Sequence, residues 1–317
     1  MRPALFALLA LGPVSPASGH PRPSSEATDV VPRSVTSLQY LDKLPDWTAE
    51  QRHLLDIGFD EAIDLAKYAR WELLPPGKSQ VNKNSKIFKK YFRAEDVETV
   101  LGVFQSLLSD STSGSDRLQA IHFGNIDPQA ACDAVRPGDP VPPGTIALYT
   151  TPWSPHAADK ASFIFVCPVV WQLGYPRTIH DIQCEATCAN AAKKECWPSA
   201  RMATYGGLIL HELIHRTSQI KDRPKGLESG IFDESFKDTD GKTVLAYDSY
   251  YTQKLVKGAE RSKALYNADS YAMFAREVWF TLKCPLIKYK DPDHWESTIP
   301  NNLKPKPKSA GVGMEEL

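Results

Sequence analysis

The chain has 317 residues, of which 42% are hydrophobic, so it can bury a substantial core and is not a chain that is disordered throughout. Its 37 basic and 38 acidic residues leave a formal net charge of -1. This balance gives no support to nucleic acid or an anionic membrane as a partner.

The first 19 residues have the pattern of a secretory signal peptide. A basic start at Arg2 precedes a short apolar run from Ala4 to Leu11, and small residues follow at positions 17–19. The run is too short for a membrane anchor, which needs about 20 apolar residues. We therefore expect a secreted, extracellular protein. Residues 20–45 are rich in proline, serine and charge, which favours a loose lead-in or a short pro-segment.

Helical patterns open the domain that we predict over residues 46–289. Thr48 and Gln51 form a capping-box pattern, and apolar residues then recur at helical spacing until Pro75, with a break near Gly58 left open. Similar spacing predicts helices over residues 85–92 and 96–108. The first third of the domain is therefore predicted to be helical.

The pattern then changes to short β-rich runs and back to helices. Strands are predicted within residues 118–123, 145–149 and 162–171, and the nearly continuous apolar run at 162–167 indicates a strand covered on both faces. Further helices are predicted over 200–219 and 264–282. Together these elements predict an α+β domain with a small mixed sheet, followed by a disordered Pro/Lys-rich tail over 290–317.

The cysteine count indicates disulfides. In an oxidising compartment the even number predicts three bridges, and the sequence does not rank the possible pairings. A zinc-thiolate site beginning at Cys184 and Cys188 is the alternative, which a secreted context disfavours. The six residues are Cys132, Cys167, Cys184, Cys188, Cys196 and Cys284.

A His-Glu-x-x-His pattern in one predicted helix carries the main chemical signal. His211 and His215 are four residues apart, so both can present a nitrogen to one zinc ion, with Glu212 beside them. Zinc lowers the pKa of a bound water, and Glu212 can take its proton and deliver it to the leaving amine of a cleaved peptide. The pattern predicts a zinc metallopeptidase.

The alternative is a pair of surface histidines one helical turn apart. The helix is apolar on almost every side, which indicates burial, and buried polar side chains require partners. A third protein ligand is still needed, and no histidine follows in the metzincin position. The acidic candidates downstream are Glu228, Asp233, Glu234, Asp238, Asp240, Asp248 and Glu277.

Three further segments suggest a family. Phe165-Val166-Cys167-Pro168, Ala246-Tyr247-Asp248 followed by Leu255, and Asn-Ala-Asp-Ser-Tyr-Ala at 267–272 accompany the two histidines. With these segments the chain resembles the deuterolysin-like, or aspzincin, zinc metallopeptidases that fungi secrete. The resemblance covers the chain from about Ser85 to Phe280 and implies a zincin-like fold.

In that family an aspartate is the third ligand and a tyrosine stabilises the oxyanion, in a Gly-Thr-x-Asp-x-x-Tyr-Gly segment. The resemblance carries these roles to Asp233 and Tyr247, with a hairpin turning at Asp240-Gly241 inserted between them. The other register, Asp248 with Tyr251, keeps the spacing of three residues. We favour the first.

Asp269 has two readings. It can accept a hydrogen bond from the free nitrogen of a zinc-bound histidine, or it can belong to the start of the last helix, where Asp is favoured. The resemblance favours the first role.

The sequence thus supports a monomeric, secreted zinc endopeptidase acting on protein or peptide substrates, with no nucleic acid or membrane partner. The main rival is a secreted zinc-binding protein on the same scaffold that cleaves little. A zinc peptidase with Glu277 as its third ligand is a further alternative.

Overall fold

The computed structural model describes ten ranges of the chain: residues 39–40, 47–108, 121–125, 130–132, 148–151, 162–172, 178–190, 195–198, 202–217 and 224–292. The predicted signal peptide, nearly all of the lead-in and the tail beyond residue 292 lie outside them. None of the helices in these ranges combines the length and apolar character needed to span a bilayer.

The first helix, α1, runs from Ala49 to Leu73. The predicted capping box is confirmed, because the Thr48 hydroxyl accepts from the Gln51 N–H and the Gln51 side chain accepts from the Thr48 N–H. The helix does not break at Gly58. A Cβ there would lie 2.9 Å from side-chain atoms of both Tyr205 and Ile209, so glycine at this position permits close approach of a second helix.

Five more α-helices follow in the described residues, and four of them lie at positions where helices are predicted. The last helix begins later than predicted, because a 3₁₀ turn over Arg261–Tyr266 precedes it. The helices are α2 (Phe88–Tyr91), α3 (Val97–Leu107), α4 (Tyr205–Thr217), α5 (Asp248–Lys257) and α6 (Ala268–Lys283).

Helix α5 was not predicted. Three of its four buried residues, Ser249, Thr252 and Gln253, are polar, so the helix lacks an apolar stripe that periodicity could detect. Tertiary contacts rather than local pattern account for its burial.

A four-stranded mixed sheet has the order β1-β2-β4-β3. Strand β4 is parallel to β2 and antiparallel to β3, and β1 is parallel to β2. The predicted third strand is shorter than expected, because the chain turns into a 3₁₀ helix at Pro168–Gln172. The strands are β1 (Gln39–Tyr40), β2 (Ile121–Gly124), β3 (Leu148–Thr151) and β4 (Ser162–Val166).

Strand β4 is buried on both faces, as predicted. Ile164 and Val166 join the large core formed with the helices, whereas Phe163 and Phe165 join a smaller cluster with Tyr149. Alternate residues of a strand point to opposite faces, so the helices cover one side of the sheet. This arrangement of helices and a small sheet confirms the α+β class.

Two short antiparallel strand pairs also lie in the described residues. Strands β5 (Cys188–Asn190) and β6 (Glu195–Cys196) form the first. Strands β7 (Ser235–Lys237) and β8 (Thr243–Leu245) form the second. The second turns where predicted, with Gly241 at φ 75°, a left-handed conformation that glycine adopts without steric cost.

All six cysteines lie in the described residues, and they form three disulfides: Cys132–Cys167, Cys184–Cys284 and Cys188–Cys196. The three predicted bridges are confirmed. The zinc-thiolate alternative at Cys184 and Cys188 is wrong, because both sulfurs are held in disulfides. The second bridge attaches the segment around residue 184 to the end of α6.

Candidate metal centre

Helix α4 carries both histidines into a buried region. Its apolar residues Ile209, Leu210 and Ile214 are fully buried in the main core, so the predicted burial of this helix is confirmed. His211 and His215 lie one turn apart with their rings nearly perpendicular. Their Nε2 atoms are 3.1 Å apart.

Asp233 is the carboxylate that the structure brings to the two histidines. Its Oδ1 atom lies 3.0 Å from His211 Nε2 and 3.3 Å from His215 Nε2. Zinc bonds of about 2.0–2.2 Å in tetrahedral geometry place neighbouring ligand atoms about 3.3 Å apart. Within the described residues no other His, Cys, Asp or Glu joins this group. The triad therefore fits a tetrahedral divalent cation with one position left for water.

Hydrogen bonds behind the two imidazoles set which nitrogen faces the centre. His215 Nδ1 lies 2.9 Å from the main-chain oxygen of Ile231. Since a carbonyl only accepts, Nδ1 carries the hydrogen and Nε2 presents its lone pair. His211 Nδ1 lies 3.3 Å from Asp269 Oδ1, so the carboxylate of Asp269 stands where a carboxylate behind a zinc ligand is expected.

The electrostatics of the triad call for a positive charge. Burial alone lowers the pKa of both histidines, but the nearby carboxylates together outweigh it. Asp233, with Asp269 and Glu212, raises the pKa of His211 well above its ordinary value, and Asp233 with Glu212 raises that of His215. Burial opposes ionisation of Asp233 too, yet the histidines hold its pKa well below the ordinary range. The group can be neutralised by protons or by a bound cation, which compete for the same lone pairs.

Asp248, the alternative ligand, lies in a different setting. Its Oδ1 accepts hydrogen bonds from the N–H groups of Tyr250 and Tyr251, at 2.7 and 3.2 Å. This carboxylate therefore serves the first turn of α5. The residue has φ 58°, a left-handed conformation that aspartate tolerates better than most residues.

The two candidate tyrosines are also separated. Tyr247 is half-buried and lies beside the triad, with its ring centroid 5.9 Å from that of His211. Tyr251 packs instead against the rings of Phe236 and Tyr250, at 6.3 and 5.1 Å. Of the two, Tyr247 is the one that borders the metal centre.

Glu212 follows His211 on α4 and is 6% exposed. Its negative charge contributes to raising the pKa of both histidines, so its carboxylate is close enough to influence the centre. Its main-chain oxygen lies 3.5 Å from the hydroxyl of Thr150 on the edge strand β3. This main-chain contact joins the helix that carries the ligands to the edge strand of the sheet.

Glu277 belongs to a separate buried cluster. It accepts hydrogen bonds from Lys90 Nζ at 2.6 Å and from the Tyr91 hydroxyl at 2.7 Å, and it is 1% exposed. Because this carboxylate serves α2 rather than the triad, the alternative with Glu277 as the third ligand is not supported.

Sequence reasoning missed two contributors to the centre. The role of Ile231 is invisible in sequence, because its main-chain oxygen makes the contact. Asn267 was noticed only as part of the segment that resembles the family, although its amide contacts the segments on both sides of the β7–β8 hairpin.

A scan against protein-family models gives no match, and no curated protein matches the chain.

Proposed function

We propose that this protein is a secreted zinc-dependent endopeptidase of the deuterolysin-like kind with a zincin-like fold. The observation that carries the proposal is the triad of His211, His215 and Asp233, whose three ligand atoms lie 3.0–3.3 Å apart. Glu212 lies on the same helix, directly after the first ligand. A general base beside a tetrahedral metal site is the arrangement that zinc peptidases use.

The donor set supports zinc among the common divalent cations. Two imidazole nitrogens and one carboxylate oxygen are typical of catalytic zinc, whereas magnesium and calcium prefer sites built from oxygen. Zinc, when bound, supplies a Lewis acid and lowers the pKa of a coordinated water towards neutrality. His211, His215 and Asp233 would hold the zinc ion. The Nδ1 atoms of the two histidines face away from it and contact Asp269 and Ile231.

Two side chains then have distinct tasks in peptide hydrolysis. Glu212 accepts the proton of the attacking water and passes it to the leaving amine. Its burial keeps this exchange away from bulk solvent. Tyr247 donates a hydrogen bond from its hydroxyl to the oxyanion that develops when the scissile carbonyl becomes tetrahedral.

Secretion is part of the proposal. Three disulfides suit an oxidising compartment, and the first 19 residues have the pattern of a signal peptide. The proposed substrates are extracellular proteins or peptides. We further propose that the enzyme acts as a monomer, and the resemblance suggests a fungal source.

The rival function is zinc binding with little catalysis. The β7–β8 hairpin favours this rival function, because it separates Asp233 from Tyr247. In the family that the chain resembles, the corresponding aspartate and tyrosine are three residues apart. Under the rival function, the inserted hairpin keeps the tyrosine hydroxyl from reaching the oxyanion.

One experiment separates the two functions. The secreted protein and its Glu212→Gln variant are assayed for zinc content and for casein cleavage, with Glu98→Gln, an exposed glutamate on α3, as the matched control. We expect one zinc per chain in all three proteins and cleavage in all but Glu212→Gln. A wild-type protein that holds zinc and cleaves nothing overturns the peptidase in favour of the rival.

A further inference from the structure

The segment that leads into α6 holds the chain just before Asp233. The Phe232 N–H donates to the main-chain oxygen of Tyr266 at 2.7 Å, and the Ala268 N–H donates to the oxygen of Phe232 at 2.9 Å. These bonds form a parallel bridge between Phe232 and Asn267. The residue that precedes the carboxylate ligand is therefore fixed by backbone hydrogen bonds.

The side chain of Asn267 then holds both ends of the β7–β8 hairpin. Its Oδ1 accepts from the Glu234 N–H at 3.0 Å, and its Nδ2 donates to the Ala246 oxygen at 2.9 Å. Glu234 directly follows Asp233, and Ala246 directly precedes Tyr247. One fully buried amide thus connects the neighbours of the carboxylate ligand and of the tyrosine.

Asp269 holds the other side of the tyrosine. Its Oδ2 accepts from the Asp248 N–H at 2.5 Å, while its Oδ1 lies 3.3 Å from His211 Nδ1. Tyr247 is therefore flanked by two anchored residues, Ala246 and Asp248. The ends of the hairpin are also bonded to each other, since the Ala246 N–H donates to the Glu234 oxygen at 2.8 Å.

We propose that Asn267 is a positioning residue that holds Asp233 and Tyr247 in one register around the metal centre. The tip of the hairpin is then not needed for the geometry of the site. The amide is suited to this role because it has a donor and an acceptor on separate atoms, whereas an ionised carboxylate only accepts and a serine hydroxyl has a single oxygen. This inference rests on the proposed function and deepens it.

The first test breaks one arm of the amide. Asn267→Asp keeps an acceptor for the Glu234 N–H but turns a second oxygen towards the Ala246 oxygen, and the neutral Asn267→Ser is too short to span both partners. For folded protein, judged by its melting temperature, we expect Asn267→Asp to lower kcat at least 10-fold. We expect its KM and zinc affinity to stay within about 3-fold of wild type, because the Asp233 side of the bridge remains.

A double-mutant cycle with Tyr247→Phe distinguishes positioning from general stability. If Asn267 acts through Tyr247, either substitution at Asn267 should lose most of its effect on kcat when the hydroxyl is already absent. If Asn267 only stabilises the fold, it lowers the melting temperature, and its effect on kcat is small or adds to that of Tyr247→Phe. That second result overturns the inference.

A shortened hairpin tests whether the tip of the β7–β8 hairpin is dispensable for the geometry of the site. Residues 238–242 are replaced by Asn-Gly, which closes a two-residue turn after the Lys237–Thr243 pair. Zinc affinity and kcat/KM within about 3-fold of wild type are expected, whereas a folded variant that loses either overturns the inference. Lack of cleavage by the wild-type protein would instead count against the proposed function. The bridge would then be tested by zinc affinity, which should fall in Asn267→Ser, where both bonds cannot be made, and be kept in Asn267→Asp; an unchanged affinity in folded Asn267→Ser would overturn the inference.

Discussion

His215 donates its Nδ1 hydrogen to the main-chain oxygen of Ile231, 2.9 Å away. Because Ile231 lies two residues before Asp233, this bond attaches one ligand helix to the segment that supplies the carboxylate ligand. The orientation of His215 and the approach of Asp233 are thus linked by backbone, without the metal. A site prepared in this way loses less conformational entropy when a cation binds.

Exchange of the carboxylate at either candidate position identifies the third ligand. Asp233→Asn replaces an anionic oxygen by a neutral amide in the triad, so zinc affinity should fall at least 100-fold, measured by competition with a chelating dye. Asp248→Asn should keep its zinc, because Asp248 serves the first turn of α5. Asp248→Asn should lower the free energy of unfolding by no more than about 1 kcal/mol. Loss of metal in Asp248→Asn with retention in Asp233→Asn would reverse the assignment.

Removal of one hydroxyl should separate the two tyrosines. Tyr247→Phe removes the proposed oxyanion donor, which is expected to lower kcat by about 10²–10³-fold with unchanged zinc content. Tyr251→Phe is the matched control, since its ring packs against Phe236 in a separate cluster. Steady-state kinetics on a fluorogenic peptide provide the measurement, and equal losses in the two variants would contradict the role of Tyr247.

The buried carboxyl of Glu61 should make stability depend on pH. Burial raises its pKa from 4.5 to about 7, although the Ile179 N–H and other donors oppose the shift. At Glu61 the folded state therefore binds more protons than the unfolded state between these values, so the contribution of Glu61 to stability is fully present below pH 4.5 and is lost as pH rises through about 7. The free energy of unfolding of Glu61→Gln minus that of wild type should therefore increase from pH 4 to pH 8, by about 3 kcal/mol.

Urea unfolding of the metal-free protein in a chelator at the two pH values measures this difference without a contribution from zinc. Glu98→Gln, at an exposed position, serves as the control. An identical difference between Glu61→Gln and wild type at both pH values would show that Glu61 titrates alike in the folded and unfolded states.

Gly206 should not tolerate a side chain. A Cβ at this position would lie 2.4 Å from the Cβ of Glu61 on α1, and overpacking of this kind costs about 1–3 kcal/mol. Gly206→Ala should therefore lower the midpoint of urea unfolding. Gly241→Asn is the comparison, because a Cβ there meets nothing within 4 Å and asparagine tolerates its positive φ. A stable Gly206→Ala would mean that α1 and α4 can separate without loss.

Local patterns predicted those elements that local interactions stabilise. The capping box at Thr48 and Gln51 and the helix that presents His211 and His215 depend on residues three or four positions apart. The burial of β4 followed from its own apolar run. Helix α5 was missed because its buried face is mostly polar. Asp248, the alternative zinc ligand, instead accepts hydrogen bonds from the first turn of this helix.

The sequence by itself determined the two imidazoles and the neighbouring glutamate, because a helix of fixed pitch places them on adjacent positions of one surface. Only the tertiary structure decided which aspartate meets them and which tyrosine stands beside them. That choice depends on hydrogen bonds that Asn267, Asp269 and Ile231 make with residues 16 to 58 positions away in the chain. Such contacts form when α6 packs against α4, and no periodic pattern in the chain records them.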